Sequence, residues 1–276
     1  MDWRSLMVAV DAGEACPARV ALASRLAKAF GARLIGVAAG VATPTALADP
    51  YVGGGVSAET LTVFRSMVEE ELERLRLDFL QAARAEGVEA EWRGRTGYPA
   101  DVIRDEARAA DVIVTGRRSS LCDGRAADPG DVLLSAGRPI LLVPPTPSRP
   151  PLGAPAVVAW SETCEARRAV AEALPLLRGS SEVIVVSVVR EPPSDQSWRP
   201  VCDQVDWLAR HGVAAKAEVR ASLQEVGDEL LDVAQEHEAG LIVAGGYGHA
   251  RLREWILGGV TRTLITQGAA CVLLAH

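Results

Sequence analysis

Residues 5–40, SLMVAVDAGEACPARVALASRLAKAFGARLIGVAAG, and residues 154–189, APAVVAWSETCEARRAVAEALPLLRGSSEVIVVSVV, are two versions of one pattern. Each runs from a short apolar strand through a polar turn holding Glu and Cys. An Ala/Leu-rich amphipathic helix and a second apolar strand follow. The likeness continues downstream. DVIRDEARAADVIVTGRR (101–118) parallels GDELLDVAQEHEAGLIVAGGYG (227–248), a helix running into a strand that ends in glycine. DVLLSAGRPILLVPP (131–145) parallels TRTLITQGAACVLLAH (261–276), a helix and a last strand. A repeat of whole α/β units at this spacing means two copies of one domain.

Between the copies lies PPTPSRPPLGAP, residues 144–155. Its prolines neither continue a helix nor sit in a central strand. The expected organisation is therefore a domain over 1–145, a linker over 146–155 and a second domain over 156–276. Strands are expected near 5–11, 33–39, 88–94, 111–116 and 139–143, with helices near 15–30, 58–86, 98–109 and 129–137. In the second copy they are expected near 156–161, 182–189, 215–221, 240–245 and 271–275, with helices near 163–178, 197–211, 224–237 and 258–268. Unbroken apolar strands such as VIVVSVV alternate with helices, which is the pattern of a doubly wound, Rossmann-like parallel sheet. In such sheets ligands bind outside the carboxyl ends of the strands.

Composition narrows the function classes. The 276 residues are 49% hydrophobic, enough for two cores, and 24% charged. A net charge of −7 and the lack of any Lys/Arg run argue against nucleic acid. No apolar run approaches the roughly 20 residues that span a bilayer, and MDWRSLMVAVD lacks the build of a signal peptide. A cytoplasmic location without membrane contact is the expectation. Cys16, Cys122, Cys164, Cys202 and Cys271 show neither CxxC nor His at ligand spacing, which fits reduced thiols rather than disulfides or zinc. His211, before Gly212, reads as a helix C-terminal residue, and with His237 and His276 it is too scattered for a metal site.

One stretch carries chemistry: GGYGHARLREWILGGVTRTLI, residues 245–265. Gly245 and Gly248 lie where the chain leaves a strand, and Gly258 and Gly259 where the next helix begins. Glycine lets an anion approach main-chain N–H groups, and a helix N-terminus adds unpaired donors and partial positive charge. His249, Arg251, Arg253 and Arg262 bring possible cations. The combination suits a polyphosphate. It is neither a P-loop, for want of GK[ST], nor a dinucleotide fingerprint, for want of the third glycine of GxGxxG. Against this stands the ordinary use of glycine at strand ends and caps.

These residues make the sequence similar to the tandem universal stress proteins. Nucleotide-binding members of that family carry G-x2-G-x9-G-[ST]. Gly245, Gly248 and Gly258 match it, and Gly259 takes the Ser/Thr place. The family's first strand ends in an Asp. Asp11 matches in the first copy and Ser161 stands there in the second. The first copy keeps Gly116 but has Ser119 at the second glycine, and Asp123, Asp128 and Asp131 in its loop would repel phosphate. The resemblance implies ATP or another adenine nucleotide, with or without Mg, in the second copy. Ser161 and Val188 would line the adenine side. Gly245, Gly248, Gly258, Gly259 and Val260 would hold the phosphates, with His249 beside them to neutralise phosphate charge.

The expected role is a stress-response or regulatory protein with unidentified protein partners and no strong catalysis. A scaffold that has lost nucleotide binding and a weak nucleotide hydrolase remain as alternatives. Single-domain relatives commonly dimerise through the fifth strand. PILLVPP and CVLLAH supply two such strands in one chain, so an intramolecular pseudo-dimer is expected, as a monomer or weak homodimer. The insert GVATPTALADPYVGGGVSAET (40–60) has no counterpart in the second copy and is expected to be a surface loop, with Ser57 capping the next helix.

Overall fold

The structure is a computed structural model that describes residues 2–41, 58–117, 126–247 and 259–276. By contacts the chain forms two units, one of Arg4–Ala136 and one of Gly137–His276 joined by the N-terminal residues through Trp3.

In the N-terminal unit the elements run β1 (Ser5–Ala9), α1 (Cys16–Phe30), β2 (Arg33–Gly40), α2 (Ala58–Ala85), β3 (Ala90–Thr96), α3 (Pro99–Glu106), β4 (Val112–Gly116) and α4 (Pro129–Ser135). The strands stand in the order β3-β2-β1-β4 and all pair in parallel. Leu6, Met7 and Val8 of β1 and Val112, Ile113 and Val114 of β4 are wholly buried, as strands covered on both faces must be. Pro17 sits in the first turn of α1, and Gly31 closes the helix in the left-handed conformation, φ 59°. The long α2 turns Leu75, Phe79 and Ala83 inward, and the Phe79 ring meets Trp92 of β3 at 5.7 Å. α1 packs with α2, and α3 with α4.

The C-terminal unit contains β5 (Ile140–Val143), β6 (Ala156–Ala159), α5 (Cys164–Leu177), β7 (Val183–Val189), α6 (Asp195–Arg210), β8 (Lys216–Ala221), α7 (Val226–Glu236), β9 (Leu241–Gly245), α8 (Gly259–Thr266) and β10 (Cys271–Ala275). Its strands stand in the order β5-β10-β9-β6-β7-β8. The run β8-β7-β6-β9 repeats β3-β2-β1-β4, the order expected of two copies. β5 is the exception in direction. It pairs antiparallel with β10, with Leu141 opposite Leu273, which joins the two fifth strands as expected. That pairing places β5 in the C-terminal unit and sets the division between Ala136 and Gly137.

The proline segment forms neither helix nor strand and is tied to the C-terminal unit. Ser148 N–H donates to Ala269 O at 2.9 Å, and Arg149 pairs with Glu238 at 2.5 Å. Gly240 approaches Pro150 so closely that a Cβ there would strike its carbonyl oxygen. His211 closes α6 and Gly212 follows at φ 78°, as expected. Element ends move slightly from the expectation. β1 stops at Ala9 rather than 11, and β3 runs over 90–96 rather than 88–94. The Ser57 cap and most of the insert lie outside the described residues. No helix among the described residues is long and apolar enough to cross a membrane.

Candidate functional site at the carboxyl ends of the strands

In the C-terminal unit, register brings the expected residues to one edge. Ala159 of β6 stands level with Val186 of β7 and with Ala244 of β9. Two residues further along each chain come Ser161, Val188 and Gly246. Trp160 N–H still donates to Val186 O at 2.7 Å, so Ser161 leaves β6 at the same end of the sheet as Val188 of β7 and Gly245 of β9. Ser161 is exposed, and its hydroxyl lies 3.4 Å from that of Thr163. Thr163 caps α5 by accepting from Ala166 N–H at 3.2 Å.

Gly245 has a packing duty. A Cβ there would lie 2.6 Å from Ala166 N and 2.8 Å from the Glu165 carbonyl carbon. The first turn of α5 thus rests on bare backbone at the end of β9. Gly246 N–H then donates to Ala275 O at 2.8 Å, carrying the sheet one residue past the strand. Tyr247 follows with φ 53°, an uncommon value for an aromatic residue. Its N–H reaches the buried Thr261 hydroxyl at 3.3 Å, and Thr261 stands in the first turn of α8. This bond brings Gly259 and Val260, at the start of α8, to the exit of β9. Gly248, His249, Arg251, Arg253 and Gly258 lie outside the described residues.

Charges rim this edge. Glu225, before α7, has Oε2 3.9 Å from the place of a Cβ on Gly259. Arg190, past the end of β7, stands 3.9 Å from Glu225 and donates to Leu223 O at 2.6 Å. His276 Nδ1 meets Gly246 O at 3.1 Å, and Arg168 of α5 bonds the His276 carbonyl. Glu165 is buried and accepts from the Cys164 thiol at 3.2 Å. Among the described residues no three His, Cys, Asp or Glu side chains gather as a metal site.

The matching edge of the N-terminal unit is built differently. Asp11 Oδ2 pairs with Arg19 Nη2 at 2.5 Å, and its other oxygen accepts from Gly13 N–H at 2.9 Å. Arg19 is buried, and its Nε donates to Ala9 O at 2.9 Å. Burial pushes the neighbouring Cys16 thiol up in pKa, against the pull of the Arg19 charge. Of the family's motif residues here, Ser119 and Asp123 lie outside the described residues. Asp128 instead caps α4 by accepting from Gly130 N–H at 2.8 Å.

Reading from sequence missed Arg19, Thr261, Glu225 and His276. Arg19 had a signal. It shares a helix face with Ala23 and Leu26, at i+4 and i+7, so the periodicity alone puts a cation on the buried side of α1. The other three have none, because their roles depend on chain segments far away in sequence.

Residues 2–127 match the model of the Universal stress protein family. The solved structure of a universal stress protein from Archaeoglobus fulgidus DSM 4304 covers 98% of this chain with 97% of its own, at 15% identity and a TM-score of 0.72. A functionally unknown protein from Pseudomonas aeruginosa PAO1 covers 99% with 92%, at 15% identity and a TM-score of 0.57. Among curated proteins none matches. At such identities the structural likeness is one of fold. The family match over the N-terminal half and the fold of the whole chain support the universal stress protein family as what this protein is similar to.

Proposed function

We propose that this chain is a tandem universal stress protein whose C-terminal unit binds an adenine nucleotide such as ATP, in a stress-related regulatory role without strong catalysis. One observation carries the reading. The strand ends bearing Ser161, Val188 and Gly245 share an edge with the start of α8, to which Thr261 ties Tyr247. The carboxyl-end edge of such a sheet is where ligands of this kind bind. The α8 N-terminus offers unpaired N–H donors and partial positive charge to a phosphate. The spacing of Gly245, Gly248 and Gly258 agrees with this use. Ser161 in place of an Asp leaves one hydroxyl for the adenine or ribose side. Gly259 in place of Ser/Thr costs one side-chain hydrogen bond, about 0.5–1.5 kcal/mol, while keeping its N–H.

A second reading, a scaffold without nucleotide, is favoured by the packing at Gly245, which accounts for that glycine without any ligand. Calorimetric titration of the full chain with ATP and magnesium separates the two. The nucleotide reading expects saturable binding near one per chain, lost in Gly259→Asp, where a carboxylate joins Glu225 at the helix start. Absence of uptake at millimolar ATP would leave the scaffold reading.

A further inference from the structure

We propose that Arg19 closes the N-terminal copy of the site, so that the chain carries one open site and one filled by its own side chain. The guanidinium lies across the carboxyl ends of β1 and β4. Val8 stands level with Val114, so Ala9 and Val10 face the stretch that ends in Gly116. Arg19 Nε is bonded to Ala9 O and Nη2 to Asp11, and Nη1 lies 2.6 Å from where a Cβ on Gly116 would sit. With 4% of its side chain exposed, Arg19 takes up the room that the missing Cβ leaves. β1 and β4 correspond to β6 and β9, whose ends carry Ser161 and Gly245. The inference rests on the C-terminal reading only in taking those matching strand ends as the ligand position.

Among the described residues the C-terminal copy has no such plug. Counted from Asp11 and Ser161, the pair that strand register matches, Arg19 corresponds to Ala169, which is buried and carries no charge. The turn before α5 is also two residues shorter than the turn before α1, measured from Ser161 and Asp11 to the two helix starts. The α5 backbone itself therefore lies against Gly245, and Ser161 is left exposed. In the N-terminal copy a ligand would have to displace a buried cation from its carboxylate. Leaving either charge buried and alone is strongly unfavourable, and a neutral base offers no cation to replace the guanidinium. Arg19 is thus the residue that decides which copy accepts a ligand.

The test counts sites on the full chain by equilibrium dialysis against radiolabelled ATP with magnesium and, separately, adenosine. Adenosine suits the N-terminal copy, since Asp128 and Asp131 stand on its phosphate side. Wild type is expected to bind one ATP, lost in Gly259→Asp. Arg19→Ala should gain one adenosine per chain, and that gain should survive Gly259→Asp. Arg19→Met, which refills the space without charge, should gain none. Should Arg19→Ala fold poorly, Asp11→Ser/Arg19→Ala removes both charges, recreates the serine of the other copy and carries the same expectation. An unchanged adenosine count in the soluble variant overturns the proposal, as does ATP binding that persists in Gly259→Asp with Arg19 in place. If wild type binds no ATP while Arg19→Ala gains adenosine and Arg19→Met does not, the C-terminal reading fails and this one stands. One ATP in wild type with no gain in the variants means the reverse.

Discussion

Leu141 of β5 stands directly opposite Leu273 of β10, and neither side chain is exposed at all. This antiparallel pair covers the edge that β10 would otherwise present, and an uncovered apolar edge is a template for aggregation. Leu141→Ala or Leu273→Ala should each cost about 2–5 kcal/mol of stability, as buried leucines do. The double variant should lose less than the sum, because the two share one contact. Urea unfolding of the four proteins measures it. Strict additivity would mean the two leucines do not depend on each other.

Gly240 is predicted to tolerate no side chain. Its N–H donates to Pro155 O at 2.9 Å and its carbonyl accepts from Cys271 N–H at 3.0 Å, so the backbone is fixed from both sides. A Cβ there would strike Pro150 O and stand 2.9 Å from Ala154 Cβ. Gly240→Ala should therefore destabilise by about 1–3 kcal/mol, the usual cost of overpacking. It should also expose the proline segment to proteolysis. A variant as stable and as resistant as wild type would show that this segment is not held against the start of β9.

Most of the fold could be read from the chain because its signals are local and doubled. Apolar runs such as ILLV and CVLLA become strands within a residue or so of where they were expected. The glycines were legible as positions, not as duties. Gly245 reads as a place for phosphate to approach, yet its bare backbone is also what lets α5 begin against β9. Periodicity likewise puts Arg19 on the inner face of α1 without saying which gap it fills. That depends on Gly116, nearly 100 residues later, as the Tyr247–Thr261 bond depends on where α8 starts. Long-range placement of this kind leaves no spacing rule in the sequence.

A charged cluster on the C-terminal unit predicts a pH effect of definite sign. Burial pushes the Glu218 carboxyl up, but hydrogen bonds from Arg220 and His237 outweigh it and hold the group below its ordinary value of 4.5. A carboxylate with a depressed folded pKa adds stability that is complete above the unfolded value and disappears as pH falls through the folded one. Glu218→Gln should therefore be less stable than wild type at pH 7, by about 1 kcal/mol or less for a partly exposed, salt-screened group. The difference should shrink to nothing as pH drops below 4.5. Thermal melts of both proteins from pH 7 to 3 check this, and a gap that widens in acid would contradict it.

The bond between Tyr247 N–H and the Thr261 hydroxyl makes the last prediction, because it joins stability to the proposed site. Tyr247 is held at φ 53°, a conformation that bulky residues adopt only when their surroundings impose it. Thr261, 4% exposed, supplies part of that constraint from the first turn of α8. Thr261→Val keeps the shape and removes the acceptor, at a cost of about 1–3 kcal/mol. Because the same bond fixes the strand exit against the helix start, ATP affinity should fall with it, by about fivefold for each kcal/mol of lost placement. Thr261→Ser retains the oxygen and should retain affinity even where the lost methyl lowers stability. Melting temperature and calorimetric ATP titration of the two variants separate the effects. If Thr261→Val binds ATP as wild type does while melting lower, the bond serves the fold alone and the phosphate side of the site does not depend on the start of α8.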